Sequence, residues 1–309
     1  MKKIGWLALL FTLFACDETE LDFPFDGDGT QIEIYLVKKD AMDYYNPEYD
    51  LSRDDLEAEP WLRHSEIEFY DWSAHTFYLK NKKTKRNYRG GYFSVTADEE
   101  PLITGFFHSM VSSYFPPAGA VIFVEDGIFY PEDVLCLQGF GRSLSGNFLE
   151  GKPEFRQAME NSGLLKEGIN VEFLELKKAN STTLKYTFKV TNLDTEPIYV
   201  MDPVKMGKER FHYYTNGVSL YKDDEYFHAE DFETTASDFI RQHWYARLVP
   251  GKSMTRTVTL GGYKPLPSGD VTARFSFPGN NRLDAGEWKQ SDGRIWVGNF
   301  NAEAELNLP

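Results

Sequence analysis

Residues 168–192 read GINVEFLELKKANSTTLKYTFKVTN. Through Leu184, Tyr186, Phe188 and Val190 every second side chain is apolar, with Lys185, Thr187, Lys189 and Thr191 between them. A period of two sends alternate side chains to opposite faces of an extended chain, the pattern of a half-buried strand. The spacing predicts strands over 170–177 and 183–191. Downstream it repeats at 197–201, 217–221, 253–260, 270–277 and 295–308, and Asn192-Leu193-Asp194, Pro250-Gly251-Lys252 and Pro267-Ser268-Gly269 supply turns. Seven short alternating strands at this spacing predict a β-sandwich over residues 168–309.

Upstream the pattern is less uniform. Alternation over 31–39 (QIEIYLVKK) predicts a strand, as do 75–79, 91–97, 102–108, 120–125 and 134–140, with Pro116-Pro117 and Asp126-Gly127 as punctuation. Ser52 followed by Asp54 and Asp55 suits a short helix start. PEFRQAMENSGLL (153–165) carries Phe155, Met159 and Leu164 near helical spacing, with Pro153 at its start and Gly163 near its end, and predicts a helix. Residues 31–167 are therefore expected to form a mixed α+β domain, and the whole chain to be mainly β.

Four stretches of the C-terminal half, TNLDTEPIYV, LVPGKSMTRTVTL, YKPLPSGDVTARF and RIWVGNF, resemble bacterial immunoglobulin-like domains, such as the accessory domain beside deuterolysin-type metalloproteases. The resemblance implies an immunoglobulin-like β-sandwich and brings no activity. In the N-terminal half, Tyr70-Asp71-Trp72 followed by His75, and then residues 90–125, resemble a group of uncharacterised secreted and lipid-anchored bacterial proteins.

The N-terminus fixes an expected address. Lys2 and Lys3 precede an apolar run from Ile4 to Phe14, far short of the roughly 20 residues of a spanning helix. Leu13-Phe14-Ala15-Cys16 then resembles the lipobox of bacterial lipoproteins, which implies a signal peptide over 1–15 and a lipid on Cys16. Asp17, Glu18, Glu20 and Asp22 resemble the acidic surface-export signal of Bacteroidetes lipoproteins, and 16–30 read as an acidic tether. The expected location is the outer membrane, with the membrane a partner through the lipid on Cys16. DGDG at 26–29 lacks the Glu that a calcium loop needs at its twelfth position, which is Val37.

A formal charge of −15 repels nucleic acid, which is not expected as a partner. Lys80, Lys82, Lys83, Lys85, Arg86 and Arg89 interrupt that balance and read as a solvated hairpin tip. Cys136 sits in an apolar run with only Cys16 as another cysteine, so it reads as a core residue.

Local catalytic patterns are missing. None of the six histidines is followed by Glu, so there is no HExxH helix, and no two lie closer than eleven residues. Gly141-Arg142-Ser143-Leu144-Ser145 fails the nucleophile-elbow pattern at its last position, and there is no Gly-rich phosphate loop. No metal or cofactor is expected. Glu225, Glu230, Asp231, Glu233 and Asp238 crowd one segment together with aromatic residues. Of these aromatics, Tyr226, Phe232, Phe239, Trp244 and Tyr245 are the candidate ligand-binding residues, because rings offer apolar faces while carboxylates offer acceptors. The expected function is a non-enzymatic binding or assembly module with an envelope protein or glycan as partner. A surface hydrolase using these acids or the Asp71, Trp72, His75 cluster, and a peptidase-inhibitor-like capture module, are the alternatives.

Overall fold

The computed structural model describes residues 29–39, 51–112, 119–140, 149, 151–215, 217–229 and 242–309. The N-terminal half contributes β1 (Ile32–Leu36), β2 (Ile67–Asp71), β3 (Thr76–Leu79), β4 (Tyr92–Ala97), β5 (Glu100–His108), β6 (Gly119–Phe123), β7 (Val134–Cys136), β8 (Gln138–Phe140), α1 (Pro153–Asn161) and β9 (Leu165–Lys166). The C-terminal half contributes β10 (Ile169–Asn180), β11 (Thr183–Asn192), β12 (Ile198–Met201), α2 (Pro203–Met206), α3 (Lys208–Thr215), β13 (Val218–Lys222), β14 (Glu225–Phe227), β15 (Tyr245–Leu248), β16 (Ser253–Leu260), β17 (Gly269–Pro278), β18 (Lys289–Gln290), β19 (Gly293–Ile295) and β20 (Asn299–Leu308). The chain is mainly β.

Two sheets build the N-terminal half, in the orders β1-β4-β5-β6-β8 and β7-β3-β2-β9. They share a core of Ile34, Phe77, Phe93, Phe107, Ile122 and Leu135, closed by Phe155 and Met159 of α1. The expected α+β domain gives way to a mainly β one: α1 is the only α-helix among the described residues of this half, and its apolar stripe serves to cover the core. The predicted helix at 51–56 is a single 3-10 turn, Arg53–Asp55, in which Ser52 N donates to Asp55 Oδ2 at 2.8 Å. The predicted strand at 134–140 divides at Leu137, so that β7 and β8 join different sheets. Gly105 faces Phe93 across the β4–β5 pair, and a Cβ there would lie 2.1 Å from the Phe93 ring.

The C-terminal half has three sheets. A three-stranded antiparallel sheet, β10-β11-β16, faces a four-stranded antiparallel one, β14-β13-β17-β20. Phe188 lies 5.2 Å from Phe275 and 5.8 Å from Phe277 in the layer between them, and Phe211 of α3 stacks on Phe188 at 5.8 Å. Those rings come from the alternation of β11 and β17, whose other faces are polar. The third sheet, β15-β12-β19-β18, is assembled from segments lying between the other strands.

The β7-β3-β2-β9 sheet is covered on both faces. Tyr70, Phe77 and Leu135 enter the N-terminal core, while Phe69, Tyr78 and Val134 enter the C-terminal one. Double burial explains why β3 reads Thr-Phe-Tyr-Leu without alternation and is buried at every residue.

Candidate binding face

The five candidate aromatics do not come together. Phe232 and Phe239 lie outside the described residues, as does Cys16. Trp244 and Tyr245 are core residues, 1% and 6% exposed, which corrects their assignment as ligand-binding groups. Trp244 ends a 3-10 turn that feeds β15, and Arg210 lies over its ring at 5.5 Å. The Tyr245 hydroxyl is bonded to Asn280, and burial pushes it up to about 12. Tyr226 is the exception, 49% exposed on β14.

Tyr226 stands on the outer face of β14-β13-β17-β20. Its strand leaves β13 through Asp223 and Asp224, which take positive φ of 47° and 67°, the backbone of a two-residue primed hairpin turn. Tyr226 is thereby placed opposite Tyr221, ring centroids 5.1 Å apart, and His228 stacks on its other side at 4.9 Å. Arg274 of β17 lies over Tyr221 at 4.7 Å. The result is a row of planar groups packed against one another. Tyr226 remains 49% exposed within this row, and Trp244 and Tyr245, buried in the core, add no ring to it.

Beside the row lies a recess of about 310 Å³, lined by Thr215, Ser219, Tyr221, Arg274, Ser276, Asn301 and Glu303 among others. Register places Ser219 opposite Arg274 on β17, Arg274 opposite Glu303 on β20, and Ser276 opposite Asn301. Cross-strand neighbours share a sheet face, so these polar side chains converge. Arg274 Nε donates to Glu303 Oε2 at 2.6 Å, and the Ser219 and Tyr226 hydroxyls share a hydrogen bond at 3.0 Å. The side chains of Ser276 and Asn301 take no hydrogen-bond partner among the described residues. Sequence reasoning missed the recess because its wall comes from three strands far apart in the chain. The alternation of β17 and β20 was its only local signal.

The Asp71, Trp72, His75 cluster occupies the junction of the two halves. Asp71 Oδ2 accepts from Arg294 Nη1 at 2.7 Å, and Asp194 Oδ2 accepts from Arg294 Nη2 at 2.6 Å. All three side chains are buried, and Arg294 also lies over Phe69 at 5.0 Å. Asp71 Oδ1 further accepts from Ser73 Oγ at 2.6 Å, and Ser73 Oγ accepts from Ile169 N and Trp296 Nε1 at 3.1 and 3.0 Å. Gly168, at φ 74°, passes so close that a Cβ would meet Ser73 Oγ at 2.2 Å. The paired carboxylates thus hold an internal arginine rather than face a cavity. His75 lies 2.9 Å from the Tyr70 hydroxyl, and burial pulls its imidazole down to about 3, so it stays neutral near pH 7.

The basic run is mostly consumed by its own fold. Lys82 pairs with Glu132 at 2.8 Å, Lys83 with Glu66 at 2.9 Å and the buried Lys85 with Asp126 at 3.5 Å, while Lys80 Nζ donates to Ser65 O at 2.8 Å. Cys136 is buried, and burial pushes its thiol up, away from the reactive thiolate. Among the described residues no group of three or more His, Cys, Asp or Glu is arranged to hold a metal ion, and no helix is long and apolar enough to cross a membrane.

No protein-family model matches the chain, and no curated protein does. Among solved structures the chain is similar to a β-glucosidase from Kluyveromyces marxianus, at 10% identity and a TM-score of 0.18 over 46% of this chain and 15% of that one. The same enzyme in complex with glucose matches at 11% identity, a TM-score of 0.17 and the same coverage. The chain therefore spans about 15% of the length of that enzyme. A DUF3823 family protein from Bacteroides uniformis matches over 91% of this chain and 90% of its own, at 10% identity and a TM-score of 0.21.

Proposed function

We propose that this chain is a lipid-anchored protein of the bacterial cell envelope, held at the outer membrane through Cys16, and that it acts as a non-enzymatic binding module. Its ligand surface is the outer face of β14-β13-β17-β20. One observation carries the reading: the recess on that face gathers polar side chains from three strands, and Ser276 and Asn301 among them have no protein partner among the described residues. Its volume of about 310 Å³ lies at the lower end of the roughly 300–1,000 Å³ typical of small-ligand sites. Asp71 and His75, one of the two clusters considered for a hydrolase, are buried and engaged at the junction, while of the other acids Glu225 is exposed on β14 and Glu230, Asp231, Glu233 and Asp238 lie outside the described residues.

Strand order supports an immunoglobulin-like reading of residues 168–309. Strands β10, β11 and β16 stand where such a sandwich has A, B and E, and β13, β17 and β20 stand where it has C, F and G. On that reading β12, β15, β18 and β19 are insertions that dock the sandwich onto the N-terminal half.

The test is co-sedimentation of the soluble Cys16→Ala protein with isolated cell envelopes. Retention that falls at least tenfold in an Asn301→Ala, Ser276→Ala double variant is expected. Retention unchanged by the double variant, or none in either protein, overturns the face as the binding site. Protease treatment of intact cells tests the address: wild type is cut, and Cys16→Ala is released from the membrane fraction.

A further inference from the structure

The composition of the recess restricts what it can hold, and this inference rests on the face being the binding surface. Its one guanidinium, Arg274, is already neutralised by Glu303 at 2.6 Å and stacked on Tyr221. No cation is left over for a carboxylate, sulfate or phosphate. The rim adds negative charge: Asp223, Asp224 and Glu225 lie on the turn beside Tyr221, and Glu305 follows Glu303 on the same face of β20. A polyanion approaching this face is repelled. A cationic ligand finds no free carboxylate within the recess, because the Glu303 carboxylate is committed to Arg274.

What remains is a dense set of neutral groups that both give and accept hydrogen bonds. The Asn301 amide has two donors and an acceptor, and the Ser276 hydroxyl is a donor and an acceptor at once, whereas the buried Thr215 hydroxyl already donates to His212 O and accepts from Gly217 N. Arg274 keeps N–H donors that the Nε bond to Glu303 does not use, and Glu303 keeps a second oxygen. Vicinal hydroxyls, each a donor and an acceptor, complement such groups. Tyr226 is 49% exposed but does not line the recess, and the Tyr221 ring that does is covered by Arg274 at 4.7 Å, which makes hydrogen bonding the main source of recognition within it.

We infer that the recess takes a neutral saccharide, held through pairs of hydroxyls by Asn301, Ser276 and the Arg274–Glu303 pair, and that it rejects uronic-acid and sulfated polymers. Two predictions separate this from aromatic stacking. Asn301→Ala and Ser276→Ala each weaken saccharide binding at least tenfold, whereas Tyr226→Leu, which removes the ring, leaves it within about threefold. The experiment is a glycan array carrying neutral and acidic oligosaccharides, probed with the soluble Cys16→Ala protein, followed by titration of the strongest neutral glycan, of a galacturonic-acid hexamer and of hexalysine. Near-ultraviolet circular dichroism checks that each variant is folded. A neutral glycan bound and lost in Asn301→Ala supports the inference. An acidic glycan or hexalysine that binds through Asn301 overturns the ligand class while leaving the face as the site. If no glycan binds, the inference is overturned. Envelope retention that still depends on Asn301 then preserves the face, and retention independent of it removes both.

Discussion

His75 is the residue whose chemistry is most altered by the fold. It takes φ 48° at the β2–β3 turn, its ring packs against Trp72 at 5.3 Å, and burial holds it at about 3. Unfolding returns it to its ordinary value near 6.5, so below that pH the unfolded chain binds a proton that the folded chain refuses. Its contribution to stability is present above pH 6.5 and is lost as the pH falls toward 3. Between pH 6.5 and 5 the loss is about 1.6 kcal/mol, the slope rising toward about 1.4 kcal/mol per unit as the unfolded imidazole becomes fully protonated. Asn tolerates the same left-handed backbone and does not titrate. Urea unfolding of wild type and His75→Asn at the two pH values is expected to show that difference in their pH dependence; parallel behaviour contradicts it. The sequence placed Tyr70, Asp71, Trp72 and His75 together but left their role open. Arg294, which defines that role, lies more than two hundred residues away and carries no local signal.

At the scale of elements, alternation was enough wherever one sheet face met a core and the other met water. The predicted strand 253–260 coincides with β16, and 270–277 falls within β17. It failed where both faces are covered: β2 (Ile-Glu-Phe-Tyr-Asp) was not foreseen, because Phe69 and Tyr70 point into different cores. The β13–β14 hairpin was missed because Asp-Asp is a weak turn signal compared with Asn-Gly or Asp-Gly. Asp224→Gly relieves its positive φ of 67° and is expected to raise stability by up to about 1 kcal/mol in thermal melts. Gly105→Ala has the opposite sign. Its Cβ would lie 2.1 Å from Phe93, and overpacking of this kind costs about 1–3 kcal/mol. A variant as stable as wild type would mean that the Phe93 ring moves aside freely.

For the whole molecule, the Arg294 cluster is a buried polar tie between the halves. Removing one partner of a buried charge group leaves the others uncompensated, so Arg294→Met, which abandons Asp71 and Asp194, is expected to cost about 3–5 kcal/mol in denaturant unfolding. Because one sheet serves both cores, the variant is expected to lower a single transition rather than split it in two. The proposed binding face lies on the β14-β13-β17-β20 sheet, whose other side is packed, and the junction is engaged internally, so on this proposal function and cohesion occupy different places. Hydrogen exchange of the soluble protein, with and without cell-envelope material, tests that division most directly. Protection confined to residues 217–228, 272–276 and 301–305 is predicted. Protection centred on residues 70–75 or 80–89, with the sheet face unchanged, would contradict it.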